Sequence, residues 1–271
     1  MSATFPAMAR YADDLSLAHV LADTADSIST ARFRAQDLHV ESKPDLTPVT
    51  DADQAVERAI RATLARTRPR DGVLGEEYGT TTPAAGSGTR QWVIDPIDGT
   101  KNFVRGVPIW ATLIALMEGD QPVVGLVSAP ALGRRWWAAT GHGAYAGRHT
   151  AAATPINVSG VRRLADASVC YSSLDGWTEN GRLPAMLDLL QGGWRSRAYG
   201  DFYGYMLVAE GAVDVMVEPE LSLWDLAALI PIVTEAGGTF TDLAGRPDPA
   251  GGSAVASNGL LHEDLLRRLN P

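Results

Sequence analysis

Apolar residues recur at helical spacing between residues 9 and 34, where Leu15, Ala18, Ala22, Ala25 and Ile28 mark one face and His19 lies on its border. The pattern predicts a long amphipathic helix lying on a core. The turn formers of KPDLTPVT follow, and Thr50 with Asp53 three residues on is a capping pattern. It opens a second helix with Val56, Ile60 and Leu64 as its stripe, an arginine-rich end and Pro69 just beyond. From Gly72 to Glu77 a short apolar strand ends in two acids, and 91–95 is a second strand ending on an acid. The Thr/Ala/Gly stretch between them, Gly79 to Gly88, reads as a mobile loop. Strand patterns at 109–117, 122–129 and 134–139 are followed by GHGAYAG, read as a turn, and by a boundary among the alanines after Thr150.

Residues 1–150 thus form one half, with helices packed on an antiparallel sheet. In the other half, 151–271, strand patterns near 167–172, 213–218, 238–243 and 253–257 alternate with helical ones near 183–191, 201–211, 222–236 and 260–269. Alternation of that kind predicts an α/β layer. Pro231 falls inside the pattern that begins at Ser222, where a missing N–H should kink or break the helix.

Composition narrows the function. The 271 residues, 45% hydrophobic and 20% charged, suffice for one large domain or two intimate ones. The single cysteine, Cys170, excludes an internal disulfide and fits a reducing cytoplasm. No apolar run approaches the roughly 20 residues that cross a bilayer, and the first residues lack the pattern of an export signal, so a cytoplasmic location is expected. A net charge of −9 without a Lys/Arg cluster argues against a nucleic-acid partner.

The chemistry concentrates at Asp95-Pro96-Ile97-Asp98-Gly99-Thr100-Lys101-Asn102-Phe103. Two carboxylates three residues apart, where a strand meets a glycine turn, can converge on a hard cation, and Gly99 and Thr100 can offer N–H groups to an anion at a helix start. The competing reading is an Asp-rich turn with an ordinary cap. Ser222 and Asp225 likewise fit a capping box. Four acid clusters at element ends, however, Asp51, Glu76, Asp95 with Asp98, and Asp225, would repel one another without cations, which a site of two or three metals resolves. A phosphatase with an aspartate nucleophile is excluded by Pro96 two residues before Asp98. A helix-loop-helix calcium hand is excluded by Ile97 and Gly99 at ligand positions. His142, His149 and His262 lack zinc spacing and read as surface residues, while Trp110, Trp136, Trp137 and Trp177 read as core or interface.

GEE at 75–77, DPIDGTKNF at 95–103 and WDLAALIPIVTEAGG at 224–238, in that order and spacing, make the chain resemble the inositol monophosphatase-like, magnesium-dependent phosphatases over nearly its whole length. KPDLTPVTDAD, DGTKNFVRGVPIW, SAPALGRRWWA and AYGDF make it most similar to the branch that hydrolyses histidinol phosphate. The resemblance implies a layered αβαβα sandwich with the site between its halves, two or three Mg²⁺ ions, a small phosphorylated substrate and a homodimer. It also implies metal ligation by Glu76, Asp95, Asp98, Asp225 and the carbonyl of Ile97, with Asp51 and Thr100 positioning or deprotonating the attacking water. Asp201 and Glu218 fall where the family places substrate contacts, beside Gly99 and Thr100 at the phosphate. Glu77, its neighbour's opposite on a strand, is not expected in the site, and Lys43 reads as a solvated loop charge. The rivals are an inositol- or sugar-phosphate phosphatase with the same metals and, from another class, a metal-stabilised scaffold without activity.

Overall fold

The computed structural model describes residues 10–43, 48–81 and 89–270. Helix α1 (Ala12–Arg32) precedes a short antiparallel ribbon of β1 (Val40–Ser42) and β2 (Pro48–Thr50), which leads directly into α2 (Asp51–Thr67). Thr50 and Asp53 form the expected capping box. Beyond α2 come β3 (Gly72–Gly75), β4 (Gly79–Thr81), β5 (Arg90–Asp98), α3 (Thr100–Arg105), β6 (Ala111–Glu118), β7 (Gln121–Ala129), β8 (Arg134–Ala139), β9 (Ala144–Gly147) and β10 (Thr154–Pro155). These strands build an eight-stranded sheet in the order β10-β9-β8-β7-β6-β5-β3-β4. Its neighbours are antiparallel except for the parallel pair β3 and β5. GHGAYAG therefore supplies a strand as well as a turn, and the sheet runs past residue 150. Of the stretch read as a mobile loop, 79–81 is strand, and 82–88 lies outside the described residues.

The second half continues with β11 (Ser168–Tyr171), α4 (Asp175–Glu179), α5 (Leu183–Gly192), β12 (Arg195–Arg197), α6 (Asp201–Ala209), β13 (Val215–Glu218), α7 (Leu223–Leu226), α8 (Leu229–Glu235), β14 (Thr239–Thr241), β15 (Ala254–Ser257) and α9 (His262–Leu269). Its five strands form a mixed sheet, β12-β11-β13-β15-β14.

Side-chain alternation along the strands sorts the molecule into five layers. Trp92, Ile94, Ile114 and Leu116 face α1 and α2, whose buried stripes include Leu17, Leu21, Val56, Ile60 and Leu64. Their strand neighbours Val93, Leu113 and Ala115 face the opposite way, onto Phe202, Tyr205 and Met206 of α6 and Ile232 and Val233 of α8. The far side of those helices packs on Met216, Ala254 and Ala256 of the second sheet. Val169, Val215 and Val255 cover its other face with Met186, Leu189, Leu265 and Leu269 of α5 and α9. The result is the expected αβαβα sandwich.

Pro231 breaks its helix as expected. The segment divides into α7 and α8 around Ala227 and Ala228, which places the proline in the first turn of α8 where no N–H is required. The break presses α8 onto the large sheet at Gly125, where a Cβ would lie 2.1 Å from the Ala228 carbonyl oxygen and 2.6 Å from Pro231 Cγ. The four tryptophans are buried. His262, expected on the surface, is buried too: its ring nitrogens pair with Thr241 Oγ1 at 2.9 Å and Ser257 Oγ at 3.0 Å, because α9 turns that face onto the second sheet.

Candidate active site

In a regular strand Asp95 and Asp98 would point to opposite faces. Between them, however, the β5/β6 register shifts: Asp95 pairs with Leu113 and Asp98 with Ala111, so Pro96 and Ile97 oppose Thr112 alone. This bulge, tolerant of a proline that cannot donate, turns both carboxylates to one side. It also extends the strand to Asp98, three residues beyond the predicted end. Asp225, from the first turn of α7, completes a set of three carboxylates with oxygen atoms within 4.8 Å of one another.

The partners of these oxygens leave room for a cation. Asp98 Oδ2 accepts the Phe202 N–H at 2.9 Å and Asp225 Oδ2 the Ser222 N–H at 2.7 Å. Asp95, 2% exposed, keeps a buried Oδ1 with no hydrogen-bond partner among the described residues. Burial, then Glu76 and the Asp98 and Asp225 carboxylates, push Asp95 well above the usual range. Burial followed by Asp201 and Asp225 does the same to Asp98, and burial brings Asp225 to about 7. Three close carboxylates with a partnerless buried oxygen are a donor set suited to a hard divalent ion such as Mg²⁺.

Glu76 and Glu77 lie beyond the end of β3, in the turn to β4, so strand alternation does not separate them. Lys43 reaches both, its Nζ lying 2.6 Å from Glu76 Oε1 and 2.7 Å from Glu77 Oε1. It is therefore not a solvated loop charge. Its side chain is 20% exposed and, although burial opposes the charge, the two glutamates hold its pKa high. Glu77 is raised to about 7 by burial.

The largest departure concerns Asp51. It is the first residue of α2, its side chain is 40% exposed with Oδ1 buried and without a hydrogen-bond partner among the described residues, and its Oδ2 pairs with Arg32 at 2.7 Å. Asp53, two residues on and fully buried, turns to the site instead: Oδ2 closes the cap on the Thr50 N–H at 2.8 Å, while Oδ1 accepts the Thr100 hydroxyl at 3.4 Å. Thr100 Oγ1 also lies 2.9 Å from the Ile97 carbonyl oxygen. Two residues span about 200° of a helix, so Asp51 and Asp53 must face apart. The cap was legible and was itself the signal for Asp53, since an N3 carboxylate that closes a box points back at the helix start. Burial raises Asp53 to about 6.

A cavity of about 380 Å³ is lined by Glu76, Asp95, Ile97, Asp98, Gly99 and Thr100 from the first half of the chain and by Asp201, Glu218, Trp224 and Asp225 from the second. Asp201 begins α6 with a left-handed φ of 47°, and Asn102 Nδ2 donates to its Oδ2 at 3.3 Å. Glu218, ending β13 and buried, accepts the Tyr205 hydroxyl at 2.7 Å and is brought to about 7 by burial. Gly99, with φ 80°, lets the chain turn beneath Asp201 into α3, the short helix that Thr100 opens.

Carboxylates gathered around a bulged strand, between the two sheets of an αβαβα sandwich, form an acidic cluster that could bind metal. The chain belongs to the inositol monophosphatase family, whose profile matches residues 12–270, and it is a phosphatase that acts on small phosphorylated substrates. Among its relatives, a histidinol-phosphatase of Streptomyces coelicolor is 64% identical over 97% of this chain and 99% of that protein. A histidinol-phosphatase of Mycobacterium tuberculosis is 59% identical over 95% and 98%. The solved structure of an inositol monophosphatase from Zymomonas mobilis superimposes with a TM-score of 0.83 at 34% identity, over 97% of this chain and 100% of that one.

Proposed function

We propose that the chain hydrolyses L-histidinol phosphate to L-histidinol and inorganic phosphate, by in-line attack of water at phosphorus. The observation that carries the chemistry is the convergence of Asp95, Asp98 and Asp225 beside Glu76, with Asp95 Oδ1 left for a ligand. These side chains and the Ile97 carbonyl would hold two or three Mg²⁺ ions. When bound, the ions supply positive charge to the phosphate and lower the pKa of water near it.

The chain's own residues do the rest. The Thr100 hydroxyl, donating towards Asp53, presents its oxygen to the attacking water, takes up the proton that the water loses and passes its own to Asp53, whose raised pKa suits it to receive it. The N–H groups of Gly99 and Thr100 at the start of α3 donate to phosphate oxygens. Asp201 and Glu218 face the remainder of the substrate, and two carboxylates outside the metal set suit an ammonium and an imidazole better than a neutral polyol. The two histidinol-phosphatase relatives support that choice of head group. The reading includes a homodimer and a cytoplasmic location, which suits the buried free thiol of Cys170.

The test compares phosphate release from histidinol phosphate and inositol 1-phosphate, with Mg²⁺ and with a chelator. A chelator-sensitive preference for histidinol phosphate is expected. Preference for the inositol ester would remove the head-group assignment and keep the metals, whereas metal binding without release from either would overturn histidinol phosphate as the substrate and reopen the sugar-phosphate and scaffold readings.

A further inference from the structure

Glu57, like Asp53, is a fully buried carboxylate outside the metal cluster, with a side-chain exposure of 0%, and it lies one helical turn beyond Asp53 on the inner face of α2. Its oxygens are spent on the turn that carries Glu76. Oε2 accepts the Glu77 N–H at 2.8 Å, and Oε1 accepts the Tyr78 N–H at 3.2 Å and Arg61 Nε at 2.7 Å. Arg61 goes on to the Gly79 carbonyl and to Thr81 Oγ1, bracing the start of β4. The carboxylate fills a notch that only glycine leaves open, since a Cβ on Gly75 would lie 2.0 Å from Glu57 Oε1. Glu76 is pinned from the other side as well, its own N–H donating to the Ile94 carbonyl of β5 at 3.2 Å.

We propose that Glu57 is a positioning residue for the metal site: by holding the N–H groups of Glu77 and Tyr78 it sets the turn that aims Glu76 at Asp95. The proposal rests on Glu76 as a metal ligand. Helix α2 then serves the site twice, with Asp53 against Thr100 and Glu57 against the Glu76 turn, so one rigid element fixes the spacing between the proton acceptor and a ligand. A turn with two donors facing a buried carboxylate has one favoured geometry. Without that acceptor the N–H groups would have to seek water and the turn would move.

Four variants test it in the full chain: Glu57→Gln, Arg61→Met, Glu76→Gln and, as a control, Asp242→Asn. Asp242 is another buried carboxylate that accepts a backbone N–H, from Arg246 at 2.8 Å, together with its guanidinium, but it lies in the loop after β14 outside the cavity. The readouts are calorimetric Mg²⁺ affinity of the metal-free protein, the Mg²⁺ concentration for half-maximal phosphate release, and the thermal midpoint. Glu57→Gln is expected to weaken Mg²⁺ binding about ten-fold or more, as loss of a supporting carboxylate does at metal sites, with kcat at saturating Mg²⁺ changed far less. Arg61→Met should shift affinity in the same direction by less, and it carries the test if Glu57→Gln does not fold. Asp242→Asn should lower the midpoint while leaving Mg²⁺ affinity unchanged. Unchanged Mg²⁺ affinity in both Glu57→Gln and Arg61→Met, or an equal loss in Asp242→Asn, would overturn the positioning role. Unchanged affinity in Glu76→Gln would instead overturn Glu76 as ligand, and the proposal with it.

Discussion

At the scale of single residues, the site turns on which of two neighbouring aspartates faces Thr100. Asp51 spends its charge on Arg32 at a half-open surface, whereas Asp53 is sealed between Thr50 and Thr100. Asp53→Asn keeps shape and removes the proton acceptor, so kcat is expected to fall about 10²-fold or more at saturating Mg²⁺. Asp51→Asn breaks one partly exposed ion pair, which costs at most about 1 kcal/mol of stability and leaves kcat near that of the parent. Steady-state phosphate release from the two variants decides the matter, and the reverse ranking would return the role to Asp51. The example shows how a local rule misleads when applied singly. Thr50 and Asp53 read correctly as a cap, and Asp225 with Ser222 likewise, but capping and function are not alternatives: one carboxylate oxygen closes the helix, while Asp53 turns its other oxygen to Thr100 and Asp225 lines the cavity.

At the scale of elements, backbone irregularity does the positioning. The bulge at Pro96 and Ile97 turns two aspartates to one face, and the break before α8 drops a helix onto Gly125. Both irregularities carry a proline that the sequence displays, yet only for Pro231 does the residue itself announce the distortion, because a helix interior requires the N–H that proline lacks. A bulge is a relation between two strands and needs the partner's register to be recognised. Gly125→Ala would push a methyl into the Ala228 carbonyl and is expected to destabilise the protein by about 1–3 kcal/mol, read as a lower urea midpoint at unchanged slope. An unchanged midpoint would mean that α8 rides more loosely on the sheet than the contact distances require.

Across the whole molecule, charge and stability are linked through pH. Burial holds Asp53 near 6 and Glu218 and Asp225 near 7, all above the value of about 4 expected in an unfolded chain. The metal-free native state thus binds more protons than the unfolded one from about pH 4 to 7. The stability these groups contribute is full below that window and is lost as pH rises through their folded values. Mg²⁺ needs the ionised carboxylates, so its affinity should rise over the same range. The Mg²⁺-induced increase in thermal midpoint is therefore expected to be larger at about pH 8 than at about pH 5.5, and equal increases at both would show that these carboxylates do not hold the ion. The sequence by itself determined the helices on an antiparallel sheet and the α/β layer after them, the apolar stripes of α1 and α2, the break at Pro231, and the clusters at Glu76, Asp95 with Asp98, and Asp225, because periodicity, caps and acid spacing are local properties of a chain, while their stacking as an αβαβα sandwich was legible through the family resemblance alone. Only the tertiary structure decided that Asp53 rather than Asp51 faces Thr100, that Lys43 bridges Glu76 and Glu77, that His262 is buried, and that Glu57 clamps the Glu76 turn. Each of these depends on which groups a distant segment presents, and a side chain's direction, burial and ionisation are set by neighbours that chain order does not reveal.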